Sequence, residues 1–89
     1  MSTKTAPAVD TELRNTAYAE EIATAKLASG PHSEARIERL RIKSTGKIEI
    51  RFSWWMDGKM MPKPLDLPEA DLMTLLARGI KAGVLMVEE

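Results

Sequence analysis

The stretch from Lys47 to Trp55 constrains this chain more than any other. Ile48, Ile50, Phe52 and Trp54 alternate with Lys47, Glu49, Arg51, Ser53 and Trp55. A period of two belongs to a β-strand with one face buried, because successive side chains point to opposite sides. Asp57-Gly58 follows at once, the residue pair that best forms a two-residue hairpin turn. That turn pairs Trp54 with Met61 and Trp55 with Met60. Upstream, Leu40 and Ile42 alternate with Arg39, Arg41 and Lys43. A three-residue loop, Ser44-Thr45-Gly46, would pair Ile42 with Ile48 and Leu40 with Ile50. It keeps the apolar residues on one face and gives Gly46 the left-handed position. A two-residue Thr45-Gly46 turn would set Ile42 against Glu49. The three-residue register is therefore expected, over strands at 36–43 and 47–55. Only Ile37 breaks its parity, which suggests a bulge or a strand start near Glu38.

The third strand is cut short by Pro62 and Pro64, which confine it to a sheet edge. Leu65 and Leu67 resume the alternation before a helix. Pro68 suits the first helical position. Glu69 and Asp71 sit near the positive end of the helix dipole, and Arg78 and Lys81 near the negative end. Leu72, Leu75, Leu76 and Ile80 form the apolar stripe, flanked by Met73, and Gly79 or Gly83 ends the helix. At the other terminus, residues 1–9 read as disordered. Asp10 is a suitable N-cap for a marginal helix over about 11–28, stopped by Ser29-Gly30-Pro31. The expected fold is α+β: a small antiparallel sheet of three to four strands covered by a C-terminal helix, plus a marginal N-terminal helix. The expected organisation is a flexible segment 1–31 and a β-β-β-α domain 32–89.

Eighty-nine residues fit one small domain, and without cysteine the chain has neither disulfide nor thiol chemistry. No apolar run reaches the roughly 18 residues of a membrane span, and no signal-peptide core is visible, so a cytoplasmic protein is expected. The 13 basic and 13 acidic residues cancel, yet 32–63 carries eight cations against four acids. The basic middle argues for a local polyanion-binding patch. His32 stands alone and is expected in a solvated loop, so no metal or other cofactor is expected. With no nucleophile–base spacing and no phosphate loop, an enzyme is not expected either.

The expected register leaves Arg39, Arg41, Lys43, Lys47, Arg51 and Trp55 on the face opposite the helix, with Glu49 the one acid. Lys43–Lys47 and Arg39–Arg51 would be like-charge cross-strand pairs, which cost stability. A chain that keeps them is suited to a polyanionic partner. Lys63 and Lys59 would extend the patch. Trp55 would offer a stacking surface for an unpaired base. The plainer reading is that such a face only keeps the protein soluble and its edges unpaired.

Residues 45–69, TGKIEIRFSWWMDGKMMPKPLDLPE, resemble the transcriptional positive-cofactor-four family. The shared order is Gly-Lys, an apolar strand containing Arg, aromatic-Trp, an acidic-Gly turn, Lys-Pro, an apolar residue, Pro-Glu and a helix. The likeness spans about 36–82. It implies a dimeric single-stranded-DNA-binding coactivator with curved antiparallel sheets, cationic ridges and helices packed across the dimer axis. By resemblance, Lys47, Arg51 and one of Trp54 or Trp55 would contact DNA; strand parity selects Trp55. The family places four strands before its helix, whereas the spacing here yields three.

The functional expectation is a sequence-tolerant, homodimeric single-stranded nucleic-acid-binding protein of transcription or replication. Its contacts would be Arg39, Arg41, Lys43, Lys47, Arg51, Trp55 and Lys63. The alternative is a small adaptor or inhibitor from a phage or plasmid that binds a host protein. The small size and numerous methionines suit that reading.

Overall fold

The computed structural model describes residues 13–86. Among these residues five strands precede one helix: β1 Ala19–Gly30, β2 Ser33–Ile42, β3 Ile48–Met56, β4 Lys59–Met60, β5 Leu65–Leu67 and α1 Glu69–Lys81. The sheet is antiparallel throughout, in the order β1-β2-β3, with β4 and β5 both pairing with β3. The architecture is the α+β layer that the sequence indicates.

The N-terminal third departs from its reading as a helix. Residues 19–30 form the longest strand, and the described part, 13–18, folds back on it. Alanine and glutamate favour a helix, but the stretch 23–27 alternates Ala-Thr-Ala-Lys-Leu. Pairing along β2 supplies backbone hydrogen bonds that a lone marginal helix would have to provide for itself. Gly30 and Ser33 flank a two-residue turn, Pro31-His32, so the expected domain boundary at residue 31 falls inside a hairpin. Asp10 and residues 1–9 lie outside the described residues.

The β2–β3 register also differs from expectation. Arg39 faces Ile50, Arg41 faces Ile48, and Leu40 faces Glu49. The loop is four residues long, 43–46, closed by the Ile42 amide donating to the Lys47 carbonyl (2.8 Å) and the Gly46 amide to the Ile42 carbonyl (2.7 Å). Gly46 does adopt a positive φ, 74°. The extra loop residue slides β2 by one position, and a slide of one exchanges its faces. Ile37, the residue that broke the expected parity, now lies on the same face as Ile50 and Phe52. No bulge is needed at Glu38.

The β3–β4 hairpin follows its reading. Asp57 and Gly58 take positive φ values of 51° and 78°, as a mirror-image turn requires, and Trp55 faces Met60. Pro62 and Pro64 break the strand. Pairing with β3 resumes at β5, where Ile50 faces Leu67 and Phe52 faces Leu65.

α1 lies across the face that carries Ile50. Pro68 is its N-cap, one position before the first helical residue, and Gly83 ends it with a φ of 81°. Of the expected stripe only Leu72 is fully buried; Leu76 is half-buried, and Leu75 and Ile80 stay exposed. The helix is short and covers one end of the sheet. Leu27, Ile37, Phe52, Trp54 and Leu65, toward the other end, remain exposed. On the opposite face Ala19, Leu40 and Ile42 form a small buried cluster.

Candidate functional site

β3 keeps the predicted division of its side chains, with Ile48, Ile50, Phe52 and Trp54 toward the helix side and Arg51, Ser53 and Trp55 away from it. The slide of β2 dismantles the single cationic face. Arg39 and Arg41 turn to the helix side, where Arg39 donates to Glu69 of α1 (2.8 Å) and Arg41 reaches Glu20 of β1 (3.4 Å). Arg51 stays on the other face but donates two hydrogen bonds to Asp66 of β5, at 2.7 and 2.9 Å. Both partners are largely buried. Asp66 holds the Arg51 guanidinium protonated even more firmly than usual, through those hydrogen bonds. The like-charge pairs expected at 43–47 and 39–51 are absent; Glu38, not Arg39, faces Arg51.

Trp55 is not an open stacking surface. It is 8% exposed, with the Arg36 guanidinium 3.6 Å from its ring centroid and that of Arg14 at 5.0 Å. Its indole N–H donates to Ser53 Oγ (2.9 Å). Ser53 Oγ donates to Glu38 Oε1 (3.0 Å), and Arg14 Nη2 donates to Glu38 Oε2 (2.9 Å). A buried polar network therefore fills the middle of this face. The network holds the aromatic that a nucleobase would need, and it leaves Arg14 Nε buried without a partner.

Two groups of sequence-selected residues do come together. The β2–β3 hairpin end carries Arg41, Lys43 and Lys47, all exposed. Lys43 Nζ bonds the Asn15 side chain, and its backbone amide donates to the Tyr18 carbonyl (3.0 Å). Toward the other end of β3, Lys63 lines a cleft of about 360 Å³ with Phe52, Trp54, Met61 and Leu65. Trp54 is 51% exposed and is the tryptophan that parity passed over. Parity placed Trp54 toward the helix correctly. The shortness of α1, thirteen residues, was the signal that it could not cover that end of β3. Lys63 has a positive φ of 64°, which turns the chain between the two prolines and holds this loop beside Phe52.

A second cleft, about 290 Å³, lies over β1 and β2 and shares Phe52 as a wall; Ala25, Leu27, Ala35 and Ile37 make it apolar. Among the described residues no group of three or more potential ligands is placed to hold a metal ion, and no helix is long and apolar enough to cross a membrane. No family model, curated protein or solved structure matches the chain.

Proposed function

We propose that this chain is a sequence-tolerant single-stranded nucleic-acid-binding protein whose stacking residue is Trp54, not Trp55. The observation that supports it is the shared cleft of an exposed indole and a lysine, Trp54 and Lys63. An aromatic face takes an unpaired base of any identity, and a neighbouring cation takes its phosphate. Arg41, Lys43 and Lys47 lie at the other end of β3. Of these, Arg41 shares the Trp54 side of the sheet and Lys47 points to the other, with α1 across Ile50 between the two ends of β3. The Trp54–Lys63 cleft is therefore the contact on which this reading rests. With the strand at 19–30 the chain has five strands before its helix, where the positive-cofactor-four resemblance implies four. A role in transcription or replication belongs to this reading.

The apolar cleft on the other side of Phe52 favours protein association. Contiguous exposed apolar residues on a small domain mark a contact surface. A second copy of this chain is the proposed occupant, giving a homodimer that leaves the Trp54–Lys63 cleft open. A host protein on the same surface is the adaptor reading.

The test is an anisotropy titration of a labelled oligonucleotide at two salt concentrations. Binding should weaken steeply as salt rises, because neutralised phosphates release counterions. Trp54→Ala should weaken binding at either salt. Absence of binding at low salt overturns the nucleic-acid reading and leaves protein association, which light scattering measures directly.

A further inference from the structure

Residues 13–18 fold back along β1 and close over the Trp55 side of the sheet. The Glu21 amide donates to the Arg14 carbonyl (2.8 Å), and the Thr16 amide to the Ala19 carbonyl (2.9 Å). The Arg14 amide in turn donates to Glu21 Oε1 (2.9 Å). The Arg14 side chain then crosses to Glu38 and Trp55. Under this segment lie two carboxyl groups, Glu21 at 3% and Glu38 at 1% exposure. They are diagonal neighbours on one face, since Glu21 faces Leu40 and Glu38 lies two residues along β2.

One arginine neutralises one carboxylate. Arg14 and Ser53 donate to Glu38, so Glu38 is the charged member. Glu21 Oε2 is buried and receives no donor. A proton on that oxygen removes the unsatisfied charge and supplies a donor to Glu38. The other charged and titratable groups facing the pair do not alter this assignment. Arg51, held by Asp66, faces Glu38 and favours its charged form. Arg36 is paired with Glu34 over Trp55, and Lys26 lies opposite Arg36, one pair further from Glu21. Tyr18 stacks under Arg51 at 5.6 Å, and Glu49, opposite Leu40, adds only negative charge. Burial and the hydrogen bond to Glu38 accordingly push Glu21 above the ordinary glutamate value of 4.5.

We propose that residues 13–18 are a pH-sensitive strap over Trp55: it is closed while Glu21 is protonated and is released when Glu21 ionises. Two buried carboxylates, with Arg14 the one arginine hydrogen-bonded to them, are unstable until water reaches them. Lifting the strap admits that water. Release withdraws Arg14 from Trp55 and uncovers the face that carries Glu38 and Arg36. The strap stands whether or not the chain binds nucleic acid.

Trp55 itself reports on the strap. In a Trp54→Phe background it is the sole indole, and acrylamide quenching measures its accessibility. Quenching should be low at acid pH and rise several-fold as pH climbs above the ordinary carboxylate range. Glu21→Gln keeps an amide donor toward Glu38 without a charge and should stay in the low-quenching state throughout. Arg14→Met should be strongly quenched at every pH. Far-UV circular dichroism checks that each variant keeps its sheet. Quenching that does not change with pH in the Trp54→Phe protein overturns the proposal, as does an unchanged pH step in Glu21→Gln. If Glu21→Gln does not fold, persistence of the pH step in Arg14→Met overturns it instead.

Discussion

Arg51 and Asp66 form a two-pronged ion pair between β3 and β5, at 2.7 and 2.9 Å. It joins the one short strand after the proline-broken loop to the body of the sheet. A guanidinium so engaged is a structural group. Arg51→Met leaves Asp66 charged and partly buried, and should cost about 2–3 kcal/mol in urea unfolding, somewhat below a fully buried pair. Arg51→Glu should unfold the protein, because it sets two acids against each other beside Glu38. A folded Arg51→Glu variant that merely loses affinity would restore Arg51 to the binding surface.

Trp54 and Lys63 should separate binding from stability. Trp54 is half exposed, so Trp54→Ala should change stability by about 1 kcal/mol or less, in line with surface substitutions generally. The same change should reduce oligonucleotide affinity by about 5- to 100-fold, the range that corresponds to loss of one base stack. Lys63→Ala should lower the salt slope of binding by about one. Parallel anisotropy and urea titrations check both, and equal losses in affinity and stability would remove Trp54 from the contact set.

The Arg36 guanidinium covers Trp55 at 3.6 Å and also pairs with Glu34. Desolvated cation–π contacts contribute about 2 kcal/mol. Arg36→Ala should therefore destabilise by about that much and shift Trp55 emission to longer wavelength. Arg36→Lys should recover only part of it, since an ammonium lacks the planar stacking surface.

Glu38 should govern the acid limb of stability. Burial alone would raise its pKa, but hydrogen bonds from Glu21, Arg14 and Ser53 outweigh that and hold it below the ordinary 4.5. A group lowered in the folded state contributes stability that is present above 4.5 and lost as pH falls through its folded value. Glu21 is raised, so its contribution is present below 4.5 and lost as pH rises through its own folded value. Urea midpoints measured across pH should fall on both sides of an optimum. Glu38→Gln should flatten the acid side and Glu21→Gln the alkaline side. An acid limb that persists unchanged in Glu38→Gln would assign it to other carboxylates.

The legible parts of this fold were those with local signals. The alternation of β3, the Asp57-Gly58 turn, the proline-broken edge and α1 all rest on residue spacing within a few positions. The β2 register did not, because it depends on whether the loop before Lys47 holds three residues or four. Ser44-Thr45-Gly46 satisfies both, with Gly46 left-handed either way. Ile37 carried the discriminating information, since the observed register places it with Ile50 and Phe52. β1 was hidden by composition: Ala19, Ala23, Ala25 and Ala28 suit a helix by propensity, and only pairing with β2 overrides it. The site followed these two points. Once β2 slides, Arg39 and Arg41 leave the face of Arg51, and Trp55 becomes part of a buried network centred on Glu38, a residue with no sequence signature. The bulk of the tryptophan pair was legible; which member meets solvent was not, because parity cannot say how far a helix reaches.

The pairing of β1 skips Ile22, so that Glu21 meets Leu40 and Ala23 meets Arg39. Before that residue Ala19 and Glu21 point to the Trp55 side; after it Thr24 and Lys26 do, and Ala23, Ala25 and Leu27 point the other way. Were Ile22 drawn into the ladder as a regular residue facing Arg39, the second half of the strand would be inverted. Lys26 would then enter the greasy cleft beside Phe52, and Leu27 would stand among Glu34 and its charged neighbours. The amphipathic character of the whole molecule thus hinges on one supernumerary isoleucine.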